Sequence, residues 1–249
     1  MRALVGTSGW NYDPWRGPFY PEDLAKTKWL AYYASRFPTV EINYSYYRIP
    51  TEKTLRDWGA GTPEPFRFVL KASQKITHEA RLKDAGEVTA FFCERARLLG
   101  EKLGAILFQL PPTLKKDAPR LQAFLDALPA GTRAAFEFRH ATWFDEETWA
   151  ALRGAGAALC VADSEDLETP LVATAPWGYL RLRREDYADA DLDRWAERIR
   201  GAGWSGDVHV FFKHEDAARG PQLADALIAR LAGAAPPTPS PAPPPPAGA

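Results

Sequence analysis

The 249 residues are 46% hydrophobic and 25% charged, the balance of an ordinary globular chain, and a formal net charge of −1 argues against whole-molecule electrostatic binding of nucleic acid or membrane. Two cysteines, Cys93 and Cys160, offer neither a disulfide framework nor a zinc spacing. With no apolar run of membrane-spanning length and no basic-then-apolar leader, the sequence reads as a reduced, soluble, cytoplasmic protein.

Strand-like and helix-like segments alternate along the chain. A strand over Ala3–Thr7 precedes a long Trp- and Tyr-rich loop, and a helix from about Glu22 carries Leu30, Tyr33, Ala34 and Phe37 at helical spacing. A second strand ends near Asn43, and a helix runs from Thr51 towards Trp58. The third strand ends at Lys71, and a long helix then presents Val88, Phe91, Phe92, Leu99 and Leu103 on one face. The fourth strand, GAILFQLPP, is stopped by Pro111 and Pro112, and Leu121, Phe124, Leu125 and Leu128 mark its helix. A fifth strand over Ala134–Arg139 leads to a helix around Glu146–Leu152. The sixth, Ala157–Ala162, ends at Asp163 and precedes a weakly helical Ser164–Glu168. The seventh, Gly178–Arg183, is followed by a helix around Leu192–Ile199, and the eighth, Asp207–Lys213, by a closing helix over Gln222–Leu231.

Eight βα units in this length predict an α/β fold, a single (β/α)8 TIM barrel over residues 1–233, with an open doubly wound sheet as the alternative. The stretch PPTPSPAPPPPAGA from Pro236 holds eight of the 22 prolines and no charge, which predicts a disordered Ala/Pro-rich tail over 234–249.

The strands carry an unusual charge pattern. Val40-Glu41-Ile42-Asn43, Phe66-Arg67-Phe68-Val69-Leu70-Lys71, Phe136-Glu137-Phe138-Arg139 and Tyr179-Leu180-Arg181-Leu182-Arg183 alternate apolar with polar residues. Successive side chains of a strand point to opposite faces, and ordinary parallel strands read as continuous apolar runs. One face is therefore expected to pack on helices while the other lines a polar interior. Parity assigns Glu41, Asn43, Arg67, Lys71, Gln109, Glu137, Arg139, Tyr179, Arg181, Arg183, His209 and Lys213 to that interior. Asn43, Lys71, Gln109, Arg139, Asp163, Arg183 and Lys213 are expected at the C-terminal mouth, with Glu41, Glu137 and Arg181 one layer deeper and Arg67 at the opposite rim. Six cations (Arg67, Lys71, Arg139, Arg181, Arg183, Lys213) then face three carboxylates (Glu41, Glu137, Asp163), and the surplus predicts an anionic ligand.

Glu137 is the acid–base candidate, expected to have a pKa raised by burial, with Glu41 and His140 as further catalytic candidates. His140 could instead cap its loop, and Glu137 could instead pair with an inward arginine. His78 is a further ambiguous histidine, and His209 is expected to be a hydrogen-bonded core residue. Arg181 is expected to be an unpaired functional cation, so that Arg181→Met leaves the ligand-free fold as stable or more stable. A buried pair at Arg181 would instead make that change cost roughly 3–5 kcal/mol. Hard ligands for magnesium or manganese could come from Glu41, Asn43, Glu137, His140 and Asp163, without any helical ligand spacing to support them. Trp10, Tyr12, Trp15, Tyr44, Tyr46, Tyr47 and Trp143 could stack on bases or sugars, or form a loop core.

The segments GTSGWNYDPWRGPFYP from Gly6, TVEINYSYYRIP from Thr39, ILFQLPP from Ile106 and FEFRHATWF from Phe136 together resemble the YecE-like family, domain of unknown function 72. The resemblance implies a TIM barrel and supplies no reaction. It places the family's motif residues on Gly6, Ser8, Gly9, Trp10, Glu41, Asn43, Tyr47, Lys71, His78, Gln109, Pro111, Glu137, Arg139, His140, Trp143 and Arg181. Two departures lie at the mouth: Arg181-Leu182-Arg183-Arg184 stands where the family tends to have Arg-Leu-His-Gly, and Phe212-Lys213-His214 where it tends to have Phe-Asn-Asn. The expectation is a hydrolase, isomerase or lyase acting by acid–base chemistry on a small phosphorylated or carboxylated substrate, with its cofactor unknown. Lys71, Arg139 and Arg181 would hold the anion, Glu137 would move protons, and Glu41, Asn43 and Gln109 would orient substrate. The alternatives are a metal-assisted nuclease or nucleic-acid-processing factor and a non-catalytic anion-binding protein. No membrane partner is expected.

Overall fold

Short apolar runs, each ended by a turn or a polar loop, become eight parallel strands ordered β1 to β8 that close into a barrel. The computed structural model of the chain describes residues 1–233, and the tail expected over 234–249 lies outside the described residues. The strands are β1 (Arg2–Ser8), β2 (Thr39–Ile42), β3 (Arg67–Lys71), β4 (Leu103–Gln109), β5 (Ala134–Glu137), β6 (Ala158–Asp163), β7 (Gly178–Leu182) and β8 (Asp207–Phe212). The helices are α1 (Trp29–Arg36), α2 (Tyr44–Tyr47), α3 (Glu52–Ala60), α4 (Gly86–Ala96), α5 (Ala118–Asp126), α6 (Glu146–Gly154), α7 (Asp189–Gly201) and α8 (Arg219–Leu231). Strand β8 returns to β1 in a continuous register from Arg2↔Asp207 to Thr7↔Phe212, so the sheet is a TIM-type barrel and not an open one.

Side-chain caps fix three helix starts. Thr51, Asp117 and Asp145 accept from the backbone N–H groups of Thr54, Arg120 and Thr148 at 3.2, 3.0 and 3.0 Å. Elsewhere the expected boundaries move. Helix α1 begins at Trp29 instead of Glu22, because residues 21–25 wrap an aromatic stack of Tyr20 on Trp29, whose indole N–H donates to the Leu24 carbonyl at 3.1 Å. Helix α4 stops at Ala96, and a 3-10 segment over Arg97–Lys102 with Gly100 at φ 56° makes Leu103 the first residue of β4 instead of a helical one. The connection from β6 to β7, all within the described residues, contains no helix, so the helical turn expected at Ser164–Glu168 does not form. There Glu168 pairs with Asp163 in an isolated antiparallel bridge instead.

Two apolar cores follow from the alternation. Val5, Val40, Phe68, Leu70, Phe108, Phe136, Leu180 and Val210 join the helices in the outer core. Val69, Ala105, Leu107, Ala135, Ala158, Cys160, Trp177, Tyr179 and Phe211 form a separate cluster in the lumen. The lumen core mixes the small Ala105, Ala135, Ala158 and Cys160 with the bulky Trp177, Tyr179 and Phe211, and the ionic side chains lie towards the C-terminal ends of the strands.

Candidate functional site

Arg181 is the centre of the ionic layer. It is 2% exposed, and its guanidinium donates through Nη2 to Glu41 Oε1 at 2.8 Å and through Nη1 to Glu137 Oε2 at 2.6 Å. Nη1 also reaches Gln109 Oε1 at 3.2 Å. Glu41 accepts further from Ser8 Oγ at 2.7 Å and from the Tyr179 hydroxyl at 2.6 Å. The Arg139 guanidinium closes on Glu137 Oε1, and Arg183 Nη1 stands 3.7 Å from the same oxygen.

This geometry corrects two expectations. Arg181 is not an unpaired functional cation, because two buried carboxylates hold it. Burial alone would raise the Glu137 pKa, but Arg181, Arg139 and Lys71 outweigh it and hold the group below the ordinary carboxylate value, so it cannot act as the expected raised-pKa acid. Glu41 is fully buried with both oxygens occupied by three donors, and it braces Arg181 within the ionic layer.

Asp163 is also misplaced by the expectation of a mouth position. Leu159 and Val161 of β6 belong to the outer core, so Asp163 shares their face. Its Oδ2 accepts from Arg184 Nε, the Tyr187 hydroxyl and the Trp195 indole, each at 3.0 Å, outside the barrel. Of the residues that depart from the family pattern, Arg184 is therefore consumed by Asp163, Arg183 turns inward towards Glu137, and Lys213 lies exposed on the rim.

His140 caps its own loop, its Nδ1 accepting from the Thr142 backbone N–H at 3.2 Å, as the capping reading expects. Asn43 precedes α2 and lines a concavity of about 440 Å3 with Trp10, Tyr12 and Trp58. A second concavity, about 480 Å3, lies beside the mouth between the loops after β7 and β8 and includes Arg183, Lys213 and His214. Among the described residues, no group of three or more His, Cys, Asp or Glu side chains is arranged to hold a metal ion. Arg67 lies at the opposite end of the barrel with its Nη1 on the Glu64 and Phe66 carbonyls, beside a cavity of about 420 Å3.

Removing Arg67, Asp163 and the exposed Lys213 from the count leaves Lys71, Arg139, Arg181 and Arg183 around Glu41 and Glu137. The positive excess at the mouth survives. Buried Nε and Nη1 atoms of Arg183 have no hydrogen-bond partner. Lys71 Nζ makes no hydrogen bond or ion pair among the described residues and sits 4.2 Å from the centroid of the Tyr46 ring. Burial first, and then the charge of Arg181, lower its pKa from 10.5 to about 8.

Two partners of Lys71 were not singled out as a pair from the sequence. Tyr46 is held over it because Ser45 Oγ donates to the Lys71 carbonyl at 2.7 Å, tying α2 to the end of β3. His78 packs edge-on to the same tyrosine with ring centroids 5.0 Å apart, and its Nδ1 pairs with Thr77 Oγ1 at 2.9 Å. Burial, then Lys71 and Arg139, push the His78 pKa down. It rides on a π-helical turn over Lys75–Glu79, an element enriched at functional sites. No spacing rule in the sequence could join a helix after β2 to a turn after β3. Of the loop aromatics, Trp15 and Trp143 are buried, with Trp15 Nε1 on the Glu215 carbonyl at 2.7 Å and Trp143 Nε1 on the Leu114 carbonyl at 2.8 Å. Only Tyr44 and Tyr47 of that set are strongly exposed.

The family model described as "Protein of unknown function DUF72" matches residues 4–247. UPF0759 protein YecE of Escherichia coli K12 is 30% identical over 141 residues, 56% of this chain and 49% of that protein. UPF0759 protein YunF of Bacillus subtilis is 29% identical over 187 residues, 68% of this chain and 64% of that protein. The matched stretch thus spans about half to two thirds of these relatives. A DUF72 family protein of Thermotoga maritima, TM1631, superposes with a TM-score of 0.74 at 26% identity, covering 90% of this chain and 98% of that one. One of Enterococcus faecalis, EF0366, has the same score at 20% identity and shares the fold, covering 94% of this chain and 98% of that one. With the family model running from the first strand past the last helix, and the barrel matching those of solved members, the chain belongs to the DUF72 family.

Proposed function

We propose that this chain is an enzyme whose site is the C-terminal mouth of the barrel and whose substrate is a small anion, phosphorylated or carboxylated. The observation that carries the reading is Arg183, whose buried Nε and Nη1 lack an acceptor while Glu137, the nearest carboxylate, is already held by Arg181 and Arg139. A desolvated donor without a partner costs about 1–3 kcal/mol, and an oxyanion between Arg183, Arg139 and Lys71 would remove that cost. Proton transfer passes to Lys71 and His78, titratable groups at the mouth drawn down by burial first and then by cationic neighbours, while Glu137 stays a carboxylate and orients the arginines.

The test is thermal stability in phosphate, sulfate and simple carboxylates against chloride at matched ionic strength. A site-bound anion at a hundredfold excess over its Kd adds about 2.7 kcal/mol. Arg183→Met should remove that gain at little cost to the ligand-free fold, because two of the buried Arg183 nitrogens make no hydrogen bond and its ion pair with Glu137 is a long one of 3.7 Å. An anion gain that persists in Arg183→Met, or none in the parent, rejects the reading. Exposed Tyr44 and Tyr47, 51% and 72% accessible, support a second reading in which single-stranded nucleic acid stacks on the rim. That reading requires an oligonucleotide to bind far more tightly than inorganic phosphate and to lose its affinity in Tyr47→Ala.

A further inference from the structure

Lys71 combines four features that a structural lysine does not need. It stands at the C-terminal end of β3, where barrel enzymes place reacting groups. Its amine is unpaired among the described residues and lies against the Tyr46 ring. Burial most strongly opposes its protonation; Arg181 and Arg139 oppose it too, against Glu137 and Glu41, which favour it. The loop that follows it is strained, with Arg81, Leu82 and Asp84 all at positive φ between 51° and 68°. Arg81 reaches across to Thr113 Oγ1 at 3.3 Å and pins that loop to the one after β4.

We propose that Lys71 is a covalent nucleophile that condenses with the carbonyl carbon of an anionic aldehyde or ketone, a 2-oxo acid or a phosphorylated carbonyl compound, to form a protein-bound imine. The inference rests on the proposed anion site, since Arg139 and Arg183 hold the charged group while the amine meets the carbonyl. The neutral Nζ lone pair attacks the carbonyl carbon, the C–N bond forms, and the C–O π pair moves to oxygen. One amine proton passes to that oxygen, giving a carbinolamine. The oxygen takes up a second proton and leaves as water while the nitrogen lone pair closes the C=N bond. His78 is placed to relay these protons: Thr77 engages its Nδ1, and Nε2 makes no hydrogen bond among the described residues. The imine then withdraws electrons from the adjacent carbon, which suits a lyase or an isomerase better than a hydrolase.

At neutral pH a lysine at about 8 keeps on the order of a hundredfold more free amine than an ordinary one. The experiment exposes the whole chain to glyoxylate, glycolaldehyde phosphate or neutral glycolaldehyde with sodium cyanoborohydride, and maps the reduced adducts by peptide mass spectrometry. The expected mass gain on the Lys71 peptide is that of the probe less one oxygen, formed on the order of tenfold or more faster than on exposed lysines and slowed by excess sulfate. Lys71→Arg should lose that adduct and keep the others, and the map of the parent chain decides the matter even if this variant fails to fold. Modification of Lys71 no faster than of exposed lysines overturns the imine. If sulfate and glyoxylate still stabilise the fold in that case, the anion site stands and only the covalent step falls. Equal reaction of Lys71 with charged and neutral probes, indifferent to sulfate, keeps the nucleophile and removes the anion site. Preference for glyoxylate or for glycolaldehyde phosphate identifies which anionic group the site takes.

Discussion

Arg181 shares one guanidinium between two buried carboxylates that come from β2 and β5. Arg181→Met is expected to cost about 3–5 kcal/mol in denaturant unfolding, because it strands Glu41 and crowds Glu137 with no central counter-charge. Glu41→Gln on the Arg181→Met background should recover part of the loss, and an unchanged midpoint for Arg181→Met would reject the pairing. His209 gives a second test, since neither ring nitrogen has a partner, against the expectation of a hydrogen-bonded core histidine. Burial, then Arg133, push its pKa from 6.5 down to about 3. Above about 6.5 both folded and unfolded chains carry it neutral, and nothing is lost. As pH falls the unfolded chain takes up a proton that the folded one refuses, so stability drops by about 1.4 kcal/mol per unit. Between pH 7 and pH 5 the parent should lose about 2 kcal/mol more than His209→Leu. Equal losses would show that His209 takes up its proton without unfolding. His78 and His214 are also pushed down, so the variant flattens the slope without abolishing it.

Within the elements, alternation was readable wherever a strand marked its inward face with charge. The FEFR and YLRLR strands declared Glu137, Arg139, Arg181 and Arg183 in this way, and their contacts follow. Strand β6 reads ALCVAD and carries no polar marker before its last residue, so Asp163 was assigned by position in place of parity. Counting back by twos to Val161 would have put it on the outer face. The roles of Glu41 and Glu137 were not legible, since a carboxylate with spare capacity and one saturated by arginines have the same local sequence. Gly6 shows a constraint that alternation does not reveal. A Cβ there would lie 2.1 Å from the Thr39 carbonyl oxygen of the neighbouring strand and 2.9 Å from the Tyr33 hydroxyl. Gly6→Ala should therefore cost about 3 kcal/mol, the upper end of ordinary overpacking, because backbone must move. Urea unfolding of that variant at parent-like stability would remove the close β1–β2 approach as its reason.

Across the whole molecule, Arg181 joins β7 to β2 and β5 through the lumen, over sequence separations of 140 and 44 residues. Local pairing of neighbouring strands cannot make this three-way contact. Glu41 and Arg181 meet only after the last strands have come round to the first, so the ionic layer is completed at closure. Until then the carboxylates and the guanidinium remain hydrated and lose nothing by waiting. The expected order is apolar strand–helix packing early and the charged strut late, which folding kinetics of Arg181→Met will test. A contact absent from the folding transition state changes the rate of unfolding far more than the rate of folding. The loss in Arg181→Met should accordingly appear on the unfolding limb of the chevron, with folding nearly as fast as in the parent. The charged strut is then a latch on an already assembled barrel, setting how long the folded molecule survives once it has formed.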